Sequence, residues 1–166
     1  MRPSEQRDFV WRTHSYVNDY IRLADAKAGA LFGVFGAFLG VLVHQWAASV
    51  EPDTWWRKAL FASATGAAAL VILLALRVVR PRLDAPATKD RSGATCAIYW
   101  QRVCGQSMDQ YRRAVEALDD DGMLSALVAH TWEISHVAER KYRTLRMAFL
   151  TSFFALPLAL LGIAVL

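Results

Sequence analysis

Three stretches without a charged side chain, Ala28–Val50, Ala59–Leu76 and Met147–Leu166, constrain this 166-residue chain more than any other feature. They are 23, 18 and 20 residues long. A helix needs roughly 17–25 predominantly apolar residues to cross about 30 Å of hydrocarbon. Inside hydrocarbon every backbone N–H and C=O must be bonded within the structure, which makes such runs helical. The chain is therefore expected to be a three-pass membrane protein, with too few polar residues left for a second globular domain. The first run exceeds the roughly 7–15 residue core of a signal peptide, so it reads as a span rather than a leader.

The placement of Lys and Arg predicts orientation. Five basic residues precede Ala28, twelve lie between Arg77 and Arg146, and only Arg57 and Lys58 occupy the first connection. The side that retains Lys and Arg is cytoplasmic. The expectation is a multi-pass inner-membrane protein with a cytoplasmic N-terminus and an external C-terminus. Its regions read as a cytoplasmic amphipathic helix (1–27), a first span (28–50), a short external loop (51–58), a second span (59–79), a cytoplasmic helical region (80–146) and a third span (147–166). The net charge of +4 does not call for nucleic acid. The cations cluster where helices leave the membrane, where anionic headgroups account for them.

Helical periodicity continues outside the spans. Phe9, Thr13, Tyr16, Tyr20, Leu23 and Lys27 recur every three or four residues, which predicts one helix from near Glu5 into the bilayer. Ala97, Trp100, Cys104, Met108, Tyr111, Val115 and Leu118 predict a second amphipathic helix. Pro81 and Pro86 open a polar linker before it, Leu83–Gly93. Asp119–Gly122 lacks the alternating acids of a calcium loop and reads as a hairpin turn with an Asp N-cap. Leu124, Leu127, Thr131, Ile134, Ala138, Tyr142 and Leu145 carry a third stripe into the last span, where Pro157 is expected to make a kink. The fold class is thus all-α: three transmembrane helices, cytoplasmic extensions and a helical hairpin arm. Gly29, Gly33, Gly36 and Gly40 form two small-xxx-small pairs, which allow close helix packing in lipid, within one subunit or between several.

The runs Ala28–Val50, Ala59–Leu76 and Met147–Leu166 contain no Asp, Glu, Lys or Arg, and Arg77 stands only at the inner end of the second span. Intramembrane ionisable groups mark pumps, transporters and voltage sensors, so those classes are disfavoured. No nucleophile elbow, zinc-protease helix, phosphate-binding loop or CxxC pair is present, and the chain does not read as an enzyme. Cys96 and Cys104 lack metal-site partners and read as reduced thiols, and no metal or cofactor is expected. Polar residues converge at the inner ends of the first and third spans: Asp25 and Lys27 in one, His136, Arg140, Lys141, Tyr142 and Arg143 in the other. Two readings fit them. One is a belt of salt bridges with Lys and Arg snorkelling to phosphates. The other is an anion pocket in which Arg grips a phosphate. His136, beside Glu139 and Arg140, is either a ligand contact or an ordinary surface histidine.

These residues resemble the small transmembrane effectors of Pycsar anti-phage systems. The likeness rests on "ADAKAGAL" at Ala24–Leu31, "RPRL" at Arg80–Leu83 and "ISHVAERKYRTLR" at Ile134–Arg146, in that order relative to the spans. Asp25, Lys27, Lys141 and Tyr142 match recurrent positions of that family. The resemblance implies an anti-phage effector that senses cyclic UMP or cyclic CMP with its cytoplasmic helices and then impairs the inner membrane, causing growth arrest. The implied partners are a uridylate or cytidylate cyclase, membrane lipids and further copies of the chain. Two other readings stay open: a non-enzymatic scaffold that recruits a partner through its cytoplasmic arm, and a holin-like toxin that needs no ligand.

Overall fold

The computed structural model describes residues 3–48, 54–80 and 103–165. Every regular element among them is helical: α1 (Pro3–Ala48), α2 (Trp55–Val79), α3 (Met108–Glu116) and α4 (Asp120–Val165). Three of them, α1, α2 and α4, are long and apolar enough to cross a membrane. The 25 residues of α2 rise about 37 Å, slightly more than the hydrocarbon thickness. The linker Leu83–Gly93 and the stripe residues Ala97 and Trp100 lie outside the described residues, as does Cys96. Cys104 is an exposed free thiol.

The chain divides into two compact units, residues 22–81 with 140–166, and residues 1–21 with 82–139. The first is a bundle of the apolar parts of α1 and α4 with α2. Its core forms three layers. Ala24 and Ala28 meet Ala75, Val78 and Leu145 in one. Phe35 meets Ala68, Val71 and Ala155 in the next, and Leu42 meets Ala64 and Ala159 in the last. Residue numbers climb through the layers in α1 and α4 and fall in α2, so α2 runs antiparallel to the other two. The seam is mostly alanine, which lets helix backbones approach closely where lipid is as apolar as any side chain. Phe35 and Leu42 are its bulkiest members, and many other large apolar side chains point outward: Phe153 is 75% exposed, Phe154 73% and Leu73 59%. In water that surface would aggregate; in a bilayer it is the solvent-facing surface.

Aromatic and basic residues tie the bundle together where α1 ends and α2 begins. Trp46 stacks on Phe61 with ring centroids 4.3 Å apart. The Arg57 guanidinium lies over Trp56 and donates through Nη2 to the Val165 carbonyl at 2.6 Å. That bond satisfies one of the last carbonyls of α4 and places a cation at the negative end of its dipole. α4 runs through Pro157 as one helix. At its other end α2 stops at Arg80, whose N–H reaches the Leu76 carbonyl, immediately before Pro81.

The second unit contains the N-terminal part of α1, α3 and the N-terminal part of α4. Two expectations change here. The helix predicted to run unbroken through Cys104 and Leu118 is interrupted at Gly105–Ser107. Ser107 starts α3 with a capping box, its hydroxyl accepting from Gln110 N–H while the Gln110 side chain accepts from Ser107 N–H. Ser107 and Gln110 form the S-x-x-Q signature of such a box, set within the apolar stripe. The packed face of α1 is also displaced from the predicted one. Phe9 and Tyr16 are about 60% exposed, whereas Val10, His14, Val17 and Ile21 are half-buried.

The Asp119 turn behaves as its residues dictate. Asp119 Oδ1 accepts from Gly122 N–H at 2.7 Å, capping α4. A Cβ on Gly122 would come within 2.9 Å of that oxygen and 3.3 Å of Leu118 Cδ2, so glycine keeps the cap closed. Asp119→Ala is expected to cost about 1 kcal/mol. Hydrogen exchange of the Asp120–Met123 amides reads this loss directly, and Gly122→Ala should accelerate the same amides.

Candidate functional site

The membrane-proximal rim of the first unit holds most of the charged residues singled out above. Lys141, on α4, donates from Nζ to Asp25 Oδ1 on α1. The Lys141 side chain is 16% exposed and that of Asp25 37%. An ammonium so far out of water is costly unless a carboxylate meets it. The layer of Ala24, Ala28 and Leu145 lies directly beneath the pair, and Tyr142 packs against that layer. Arg140 and Arg143, one turn apart on α4, are exposed. Thr144 donates to the Arg140 carbonyl at 3.0 Å, a local bond that leaves the guanidinium of Arg140 uninvolved.

Lys27 goes elsewhere. Two residues on an ideal helix are about 200° apart, so Asp25 and Lys27 flank opposite edges of the packed face of α1. Lys27 stands at the end of a groove of about 270 Å³ between α1 and α4, walled by Leu31, Val34, Phe149 and Leu156 among others. No carboxylate pairs with it among the described residues. The structure thus joins Asp25 to Lys141, sets Arg140 and Arg143 beside that pair in sequence, and separates Lys27 from it. Gly29, Gly33, Gly36 and Gly40 have open space where a Cβ would stand, so no contact inside the protomer requires glycine at any of them.

His136 belongs to the other unit. Its Nδ1 lies 2.9 Å from the Trp132 carbonyl, a geometry in which the ring nitrogen donates. Its ring sits against Trp132 at 4.2 Å. Sequence spacing gave no sign of a histidine pair in this unit. Trp11 stacks on His14, and His14 faces His130 with ring centroids 5.2 Å apart. The two histidines lie 116 positions apart, so no local motif links them. Burial, and then the neighbouring His14, push the His130 pKa below its usual 6.5 against the opposing pull of Glu133. A lowered pKa means the folded unit prefers neutral His130. Its stabilising share is therefore complete above pH 6.5 and is lost as pH falls below that value. Thermal unfolding of the full chain should show a midpoint that drops on acidification, and His130→Phe should flatten that dependence. The described residues contain no group of three or more metal-ligating side chains.

Fold and rim together define a membrane protein with three apolar spanning helices and a polar, cation-rich rim at one end of the bundle. Residues 9–166 match the family described as Pycsar effector protein domain, so the chain belongs to the Pycsar effector family. No curated protein and no solved structure matches it. Membership makes the chain an effector of anti-phage defence rather than a member of a known enzyme family.

Proposed function

We propose that this effector senses a cyclic pyrimidine mononucleotide, cyclic UMP or cyclic CMP, at the cytoplasmic rim of its helical bundle and then impairs the inner membrane. Family membership over residues 9–166 carries the reading, together with a rim where Arg140, Lys141 and Arg143 stand by a packed core layer. A cyclic mononucleotide brings a single negative charge and a flat base. Arg140 suits the phosphate because guanidinium binds it with two parallel N–H donors. Arg143 lies one turn further along the same helix. The Asp25–Lys141 pair ties α1 to α4 beside these arginines, each group already neutralising the other.

Coupling to lipid needs no extra element. α4 continues without a break from Arg140 through the apolar run that starts at Met147. A shift at the rim therefore moves a segment that lies in hydrocarbon. Turning a population from 1% to 99% active requires about 5.5 kcal/mol of differential binding, and several ligands on one assembly divide that demand. The positive-inside rule puts the rim, the N-terminus and residues 82–139 in the cytosol, where a nucleotide made by a partner cyclase is available. The open glycine face of α1 suits contact with further copies of the chain. Calorimetry of the purified full chain with cyclic UMP and cyclic CMP tests the proposal. Saturable heat with one of them and none with the purine counterparts is the expected result; no heat with any of the four overturns it.

A further inference from the structure

The groove at Lys27 lies apart from the Asp25–Lys141 pair, on the opposite edge of α1, and its shape and charge point to a different ligand. We propose that it seats one acyl chain of an anionic phospholipid, with the lipid phosphate on the Lys27 ammonium. Its α1 wall runs from Lys27 through Leu31 to Val34, and its α4 wall from Phe149 through Ser152 to Leu156. Both walls belong to the first turns of charge-free runs, which begin at Ala28 and Met147. The Lys27 end is therefore at headgroup depth and the other end points towards the bilayer centre. Seven residues of helix rise about 10 Å, which keeps the groove within one leaflet of a roughly 30 Å hydrocarbon layer.

The chemistry of the walls suits an acyl chain. Ser152 is the one polar side chain between the two apolar runs there, and its hydroxyl donates to the Phe149 carbonyl at 2.8 Å. It has no unmet demand that would draw water into the groove. At the mouth the balance is reversed. Lys27 is exposed and pairs with no carboxylate among the described residues, while its near neighbour Asp25 is engaged by Lys141. A phosphodiester supplies the missing counter-charge. Surrounding lipid is as apolar as the groove, so burial of the chain gives little selection by itself. Selection rests on Lys27, and one basic residue at an anionic surface is expected to favour the anionic lipid about fivefold.

The test uses the full chain in vesicles of equimolar phosphatidylcholine and phosphatidylglycerol, without nucleotide. A trace of one lipid or the other carries a photoreactive group in its acyl chain. Peptides spanning Val34 and Phe149–Leu156 are expected to be labelled about fivefold more by the phosphatidylglycerol probe. Lys27→Gln should equalise the two probes, and Lys27→Arg should retain the preference. Equal labelling of the unsubstituted chain would reduce the groove to ordinary boundary lipid and overturn the proposal. Crosslinks from these peptides to a second copy of the chain, in place of lipid, would overturn it as well. Since no nucleotide is present, neither outcome depends on whether the effector senses one.

Discussion

Arg140→Glu should leave the protein inserted in the membrane while weakening cyclic-nucleotide binding by about ten- to a hundredfold and abolishing growth arrest. The magnitude follows from the roughly 1.5–3 kcal/mol that a hydrogen bond to a charged group contributes. Arg140 is exposed and none of the core layers rests on it, so its loss has little route to the fold. Lys141→Glu should also silence the protein, but by another path. It sets a carboxylate against Asp25 in place of a half-buried ion pair. Removing such a pair costs more than the 0–1 kcal/mol of an exposed one and less than the ~3–5 kcal/mol of a fully buried one. Calorimetry separates the two variants when combined with thermal unfolding: Arg140→Glu lowers affinity at constant melting temperature, whereas Lys141→Glu lowers both. Wild-type toxicity in Arg140→Glu at equal expression would remove that residue from the nucleotide site.

The second large effect concerns assembly. Gly33→Leu or Gly36→Leu is expected to leave the protomer folded and to cut crosslinking between copies in membranes. A Cβ at either position meets nothing within 4 Å, so the protomer has no internal reason to resist the change. At a close helix crossing between subunits, inserted bulk costs about 1–3 kcal/mol, which weakens association about five- to a hundredfold. Circular dichroism and thermal unfolding report the protomer, and crosslinking yield reports the assembly. A fall in both would mean the glycines serve the fold; no change in either would assign the face to lipid.

The long-range plan of the molecule was readable because membranes impose strict rules. Runs of about 20 charge-free residues leave one solution for the backbone, and the all-helical class with three spanning helices followed directly. What periodicity conveyed less well was which face packs. Phe9, Tyr16 and Tyr20 form the more hydrophobic stripe of α1, yet Val10, His14 and Val17 turn inward. Apolar spacing reveals a preferred side but not whether its partner belongs to the same chain. The Gly105–Ser107 break is hidden for a related reason: the seven-position apolar stripe keeps its period straight across the cap at Ser107. At the candidate site, co-localisation of Asp25 with Lys141 was legible from membrane depth. The divergence of Lys27 follows from the 100° step of a helix and needed only that arithmetic. The His14–His130 contact was not legible at all, since 116 positions separate the two and neither carries a local motif.

The seam of the spanning bundle has a mechanical consequence. Ala24, Ala28, Ala64, Ala68, Ala75, Ala155 and Ala159 alternate along it with the fully buried Phe35, Leu42, Val71 and Val78, so bulky knobs seat between alanine-floored hollows. A slip of one residue would drive those knobs into neighbouring turns, so a single register is held. The three rods are keyed to one another, and a displacement at one end is handed on to the other instead of being absorbed between them.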